Sequence, residues 1–341
     1  GGISMQSSAL DYLRCPECQE HLVINNTITR NGDIRSGTME CTGCSNQYPV
    51  IMGRPALLPD AAVNIWQAPL DEALGVLPGT PVNGPFSLNR LKELGIDRAI
   101  ENLRNRSTNS ESIKSDPNAV TKELLGKARY RVSGEWFKHC GRSERLLVFP
   151  AEGGSNLDIF KEFMNTVQRT DPEDLIDLLS GGGYGVTHQA FQNRELRRIA
   201  AVQRDLNCLW SMQYRFKHIG RSSISEAIGG DVRRLPIASE SFDTAMTLHG
   251  LVELHGISGF LKEAYRVLRQ GGYYVALYSE DPVTCDILPL SDLRRFALAA
   301  DLYAGHEQFT DAAKGIGFSV ISTKTLEGMR AKKRITVFRR M

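Results

Sequence analysis

Apolar residues follow two different rhythms along the chain. In the first sixty residues they come in short bursts set off by polar and turn-forming residues, as in His21-Leu-Val-Ile-Asn-Asn, Gly37-Thr-Met-Glu and Tyr48-Pro-Val. Such bursts predict short strands around turns. From Asp174 onward, apolar runs of strand length alternate with amphipathic stretches of helix length. The runs are 174–180, 198–202, 242–247 and 271–277, and the helical stretches are 186–197 and 263–268, the latter stopped by Gly271-Gly272. A helix over 309–315, a strand over 317–321 and a last strand over 334–338 complete the series. This alternation predicts an α/β unit on a largely parallel sheet. Residues 76–87 are dense in Pro and Gly and read as a linker, and 87–127 reads as polar helix interrupted by a loop near Arg106. Tyr130, Val132, Trp136 and Phe137 follow, either as packed core or as a cap over a pocket.

With 341 residues, 41% hydrophobic and 23% charged, the chain has material for two or three domains and is not a disordered polymer. No run approaches the ~18–20 apolar residues of a membrane span, and the N-terminal stretch carries no secretory signal pattern, with Gly1 to Ser4 reading as a cloning remnant. A cytoplasmic protein with no membrane partner is expected. The net charge of +2, from 41 basic and 39 acidic residues, argues against a dedicated nucleic-acid binder.

Four of the seven cysteines form two CxxC knuckles, Cys15-Pro-Glu-Cys18 and Cys41-Thr-Gly-Cys44. Two such turns can close a tetrahedral S4 site, so Zn2+ is expected at Cys15, Cys18, Cys41 and Cys44. Four protein ligands leave no open coordination position, which favours a structural ion over the alternative of a redox CxxC pair, for which a thioredoxin-like βαβ context is missing around these turns. So small a unit has little core of its own, and the metal is expected to supply most of its folding free energy. The stretches LDYLRCPEC and CTGCSNQYPVIMGRPALLP resemble the small zinc-ribbon proteins that activate tRNA, rRNA and release-factor methyltransferases. The match runs through Tyr48-Pro49-Val50, Gly53-Arg54-Pro55 and Leu57-Leu58-Pro59.

In the C-terminal half, the run 174–180 leads into Gly181-Gly182-Gly183-Tyr-Gly185 and then a helix. Strand, glycine loop and helix in that order let the backbone approach a nucleotide. Gly230-Asp231-Val232-Arg-Arg-Leu235-Pro236, Ser241-Phe242-Asp243, Glu263-Ala-Tyr-Arg266-Val-Leu268 and Gly271-Gly272 follow in series. This set resembles the class I S-adenosylmethionine-dependent methyltransferases over roughly 125–341. The resemblance implies S-adenosylmethionine as cofactor, bound through Asp177, Ser180, Gly181, Gly182, Gly183, Gln203, Asp231, Val232 and Thr247. Adenine is expected toward Asp231 and ribose toward Gln203. Two positions depart from the family pattern: Leu179 stands at the first loop glycine, and Gln203 stands where an acid grips the ribose, with Asp205 two residues on.

The expected architecture is therefore a zinc ribbon over 8–60, a linker and helical cap segment over 61–140, and a Rossmann-like methyltransferase domain over 141–341. Methyl transfer is a displacement, for which the protein aligns the partners and removes a proton where the acceptor is weakly acidic. After the fourth strand of that domain, His249, Glu253 and His255 are the candidate bases, with His249 nearest the strand end and His139 and His188 behind them. No Asn-Pro-Pro-Tyr follows that strand, which argues against the amino-methylating enzymes of that motif. Three functions stay open: methylation of a small molecule, which the charge favours; methylation of RNA or a translation factor; and a non-catalytic, partner-binding scaffold. Arg330-Ala-Lys-Lys-Arg334 is the one basic cluster that favours RNA, against its reading as a solvated turn.

Overall fold

The computed structural model describes residues 5–58 except 31–32 and 52, and residues 154–341 except 182, 204–208, 210–211, 214, 218, 249, 252–253, 255, 282–289, 300 and 329–331. The expected linker and cap segment, with Tyr130, Trp136 and His139, lies outside the described residues.

The strands are β1 (Leu22–Arg30), β2 (Asp33–Cys41), β3 (Gln47–Ile51), β4 (Arg54–Leu57), β5 (Asp174–Asp177), β6 (Arg198–Gln203), β7 (Ser225–Gly230), β8 (Phe242–Leu248), β9 (Leu268–Ser279), β10 (Phe318–Glu327) and β11 (Lys332–Arg340). The helices are α1 (Gly154–Gln168), α2 (Tyr184–Gln192), α3 (Ile257–Val267), α4 (Leu290–Ala299) and α5 (His306–Ile316). All eleven strands form one sheet, in the order β1-β2-β3-β4-β7-β6-β5-β8-β9-β11-β10. Strands β5 to β9 run parallel, and β11 and β10 close the far side antiparallel. The chain steps outward from β5 through β6 to β7 and then returns to β8 on the other side of β5. In open α/β sheets a ligand crevice opens at the carboxyl ends beside such a reversal.

The central strands are apolar along their whole length because both faces are covered. Along β6, Ala200 and Val202 join one core with Ile176, Tyr274 and Phe260, while Ile199 and Ala201 join the other with Phe163, Met164 and Val186. Helix α3 shows the matching helical period: Ile257, Phe260, Leu261, Ala264 and Val267 are its buried stripe. At the amino ends of the strands, Asp174 takes hydrogen bonds from Arg269 at 2.5 Å and pairs with Arg198 at 3.3 Å, while Asp243 accepts the Asp174 N–H at 2.8 Å.

The ribbon and the parallel sheet are continuous. Strands β1 to β4 are antiparallel, but β4 pairs in parallel with β7, Ala56 opposite Gly229 and Leu57 opposite Gly230. Met5, Tyr12, Leu13, Met39 and Tyr48 sit in the same core as Ile228, Leu235 and Phe242. The expectation that the metal supplies most of the ribbon's folding free energy is thereby modified, since the ribbon shares the core of the larger unit. The β9 boundary also differs from expectation. Gly271-Gly272 lies inside the strand, where a Cβ on Gly272 would come within 2.7 Å of the Asp243 carbonyl, so the glycine permits a close approach of β8 and β9. The basic cluster is not a solvated turn in its described part: Lys332 to Arg334 open β11. Among the described residues, no helix is long and apolar enough to cross a membrane.

Leu13 is fully buried and bridges to Ile237. Leu13→Ala is expected to cost about 2–5 kcal/mol, the range for emptying a buried leucine site. Urea unfolding followed by circular dichroism should show this loss in a single transition common to ribbon and sheet. Two separate transitions, with only the minor one affected, would contradict the shared core.

Candidate functional site

The two CxxC turns bring four sulfurs together at one end of the ribbon. The ligand atoms of Cys15, Cys18, Cys41 and Cys44 all lie within 4.8 Å of one another. Cys15 and Cys44 Sγ are 3.6 Å apart and Cys18 and Cys41 Sγ 3.3 Å. A tetrahedron built on Zn–S bonds of ~2.3 Å has edges of about 3.8 Å, so the set fits one ion. The turns favour a thiolate at Cys41 but not at Cys18 or Cys44, since hydrogen bonds shared with the neighbouring thiols and burial push Cys18 up to about 12 and raise Cys44. Burial pushes the Cys41 thiol up, but the N–H groups of Cys44 and Gly43 and the neighbouring thiols outweigh it and bring it down to about 7. Tyr48 Oη stands 3.3 Å from Cys15 Sγ, on the buried side of the cluster.

The second site lies at the carboxyl ends of β5 to β8. Asp177 ends β5 fully buried, and its Oδ1 has no hydrogen-bond partner among the described residues. Burial is the main influence on its carboxyl and raises it to about 7, against hydrogen bonds from Leu179 and Ser180 that pull the other way. Ser180 ties the loop to β6, its hydroxyl donating to the carbonyls of Asp177 at 2.9 Å and Val202 at 3.3 Å. Gly181 has φ +49°, and no described residue lies within 4 Å of where its Cβ would stand. Gly183 has φ +76° and opens α2, but there a Cβ would meet Met212 Cγ at 2.0 Å. The loop is thus bare toward the solvent edge at Gly181 and packed at Gly183. An orphaned buried carboxylate oxygen beside an open glycine at the start of a helix fits a polar ligand with a group close to the backbone.

The other expected cofactor residues fall along the same edge. Gln203 ends β6, half-buried and opposite Gly229. Asp231 follows β7, but its carboxylate is already engaged: Oδ1 accepts from the N–H and Nε of Arg233 at 2.9 Å, and Oδ2 accepts from Nη2 at 2.5 Å. A ligand amino group there would share the carboxylate with Arg233. Val232 is buried in the core. Thr247 is also fully buried, its hydroxyl accepting from Tyr274 Oη at 3.1 Å, so its side chain is committed to the interior. Gly182, Asp205, His249, Glu253 and His255 lie outside the described residues. His188 is on α2, edge-on to Phe160 at 5.4 Å, and burial lowers its basicity.

One polar pair at the carboxyl edge escaped the sequence reading. Leu248 of β8 pairs with Leu277, and Tyr278 is the next residue of β9. Its hydroxyl is 3.0 Å from Nδ1 of His306, at the start of α5, and 2.6 Å from Oγ1 of Thr336. Burial is the main reason His306 is held below the ordinary imidazole value. The only signal in the sequence is a tyrosine ending an apolar run, and its partner lies 28 residues away.

Residues 178–276 match a family model described as a methyltransferase domain, and the chain carries such a domain there. No curated protein matches the sequence. Among solved structures, the cyclase SpnF is similar with a TM-score of 0.47 and 14% identity, over 64% of this chain and 95% of that one. A geranyl diphosphate methyltransferase, solved in complex with GPP and sinefungin, is similar with a TM-score of 0.43 and 11% identity, over 54% and 77%. The 1,6-didemethyltoxoflavin-N1-methyltransferase of Burkholderia thailandensis, solved with S-adenosylhomocysteine, gives 0.40 and 14%, over 53% and 78%.

The Asp177 carboxyl predicts a pH dependence of stability. In the unfolded chain it titrates near the ordinary value of about 3.9, and in the folded chain it titrates at about 7. Between those values the folded state holds a proton that the unfolded state has released. Its contribution therefore makes stability fall as pH rises from about 4 to about 7 and level off above. Asp177→Asn should flatten that decline and raise the melting temperature of the ligand-free protein above neutrality. An unchanged pH profile of melting would place the perturbed group elsewhere.

Proposed function

We propose that the chain is an S-adenosylmethionine-dependent methyltransferase that acts on a small-molecule acceptor by direct displacement, with a structural zinc ion in its ribbon. The observation that carries this reading is the end of β5. There a glycine with positive φ and open space among the described residues follows a buried carboxylate oxygen that has no partner among them, at the point where strand order reverses, within the matched domain. Gly181, Gly182 and Gly183 would cradle the cofactor, Gln203 would meet its ribose, and Asp231 with Val232 its adenine. When bound, the cofactor supplies an electrophilic methyl group on sulfur. The chain's own part is to hold the acceptor in line, exclude water and accept a proton where the acceptor needs to lose one. His249, Glu253 and His255 are the residues proposed for that proton, with His249 first because it directly follows β8.

The small-molecule assignment rests on charge. The whole chain carries a formal +2, and two residues of its basic cluster are internally paired. Lys333 Nζ donates to Ser279 Oγ at 2.7 Å and Arg334 pairs with Glu280 at 2.6 Å. Label from methyl-labelled S-adenosylmethionine is therefore expected in low-mass metabolites, and label in tRNA or ribosomal RNA would overturn the acceptor assignment.

S-Adenosylhomocysteine binding measured by calorimetry tests the cofactor. Asp231→Ala is expected to weaken binding by ~1–3 kcal/mol, the scale of a lost hydrogen bond to a charged group. An unchanged affinity would mean that adenine lies elsewhere. For the ribbon, elemental analysis should give about one zinc per chain, and Cys15→Ser should lose metal and lower the melting temperature. Protein free of zinc with an unaltered melt would remove the metal from the proposal.

A further inference from the structure

At the carboxyl edge of the sheet the described residues leave space at Gly181 and pack Leu179 against Gly250. Strand order sets Asp231 after β7, Gln203 at the end of β6, the glycine loop after β5 and Gly250 after β8, four neighbouring strand ends in a row. Neighbouring strands lie ~4.8 Å apart, so the row spans about 14 Å. An adenosine with its base at Asp231 and its ribose at Gln203 covers the first half. Whatever hangs from the ribose 5′-carbon must then run over β5 toward β8. Leu179 stands on that path. It is partly exposed, and its side chain is packed against Gly250, where a Cβ would lie 3.3 Å from Leu179 Cδ1 and 3.4 Å from its Cβ. Gly250 is itself at φ +87°, a conformation that favours glycine, so the contact is made to bare backbone. At Gly181, on the ribose side, no described residue lies within 4 Å.

We infer that Leu179 is a specificity-determining residue that shortens the cleft at its β8 end. The site then holds adenosine and its 5′-sulfur and gains little from the amino-acid tail beyond the sulfur. The tail carries an ammonium and a carboxylate, and a branched aliphatic side chain offers neither a partner while removing water from both. A glycine at 179 would leave that space open to the backbone of the loop. This inference rests on the cofactor reading above and concerns which part of the cofactor the chain grips.

The test compares two ligands that share the adenosine thioether and differ only in the tail: S-adenosylhomocysteine and 5′-methylthioadenosine. Each is titrated calorimetrically into the full chain, as wild type, Leu179→Ala and Leu179→Gly. The wild type should bind the two ligands within about threefold of each other, and both variants should shift the ratio about tenfold toward S-adenosylhomocysteine while methylthioadenosine affinity holds. Retained methylthioadenosine binding also certifies that the loop is folded, and the alanine variant does so without the added backbone freedom of glycine. A wild-type preference of more than about tenfold for S-adenosylhomocysteine, or a ratio unmoved in both variants, overturns the inference. If neither ligand binds the wild type, the cofactor reading itself falls, and this inference with it.

Discussion

The segment from Asp231 to Ala238 joins the parts of this protein, and it is held from three sides. On the sheet side, Gly230 must be bare because a Cβ there would stand 2.9 Å from Pro236 Cδ and 3.2 Å from Val202 Cγ1. On the helix side, Glu263 accepts the Leu235 N–H at 2.7 Å, and its partner Arg266 donates to the carbonyls of Ile237 at 2.7 Å and Leu235 at 3.1 Å. On the ribbon side, the Arg14 N–H donates to the Pro236 carbonyl at 2.9 Å, the Ala238 N–H to the Tyr12 carbonyl at 2.8 Å, and Gln19 Nε2 to the Leu235 carbonyl at 3.1 Å. A segment without a ladder of its own thus has five main-chain groups from Leu235 to Ala238 satisfied by helix α3 and the ribbon, while the sheet packs against it. Buried backbone polar groups require this kind of accounting. The segment's first residue is the proposed adenine contact, so ribbon, helix and cofactor edge meet in eight residues.

The same arrangement deals with the exposed edge of the sheet. Without the ribbon, β7 would present unpaired N–H and C=O groups to solvent, a template for pairing with other chains. Strand β4 takes that place in parallel, and the antiparallel β1 to β3 carry the edge outward. Below the pairing, Arg198 stacks on the rings of both Tyr12 and Phe242 at 4.9 Å, joining the N-terminal segment to β6 and β8. The Gln6 N–H donates to the buried Glu226 carboxylate on β7 at 2.6 Å. Burial and that carboxylate together hold the Tyr12 phenol protonated, well above its ordinary value. The four clustered cysteines therefore sit on a folded frame, which a metal ion bound there would complete.

The spacing of CxxC turns, the glycine loop and the ordered motifs from Gly230 to Gly272 were all legible in the chain, because each depends on local backbone geometry. A knuckle needs two thiols three residues apart. A loop that approaches a ligand needs glycine at positive φ, as at Gly181. The spaced glutamate, arginine and leucine of α3 also acquire a reason, since Glu263 and Arg266 reach the 235–237 backbone while Leu268 turns directly into β9. What the motif pattern could not convey was the state of each side chain: Asp231 held by its own neighbour Arg233, and Thr247 turned inward toward Tyr274.

By itself, then, the sequence determined the class of fold, the strands β5, β6, β8 and β9, the two CxxC turns and the place of the glycine loop, while helices α1 and α4 were not legible in it. Hydrophobic period, turn chemistry and ligand spacing act over a few residues and need no knowledge of distant partners. Only the tertiary structure decided that ribbon and parallel sheet share one core, that β4 pairs with β7, and that Tyr278 meets His306. It alone set Leu179 against Gly250, 71 residues apart by their numbers. These pairings join residues far apart in the chain. Their partners are chosen by which faces remain to be buried once local elements have formed, and no local pattern carries that information.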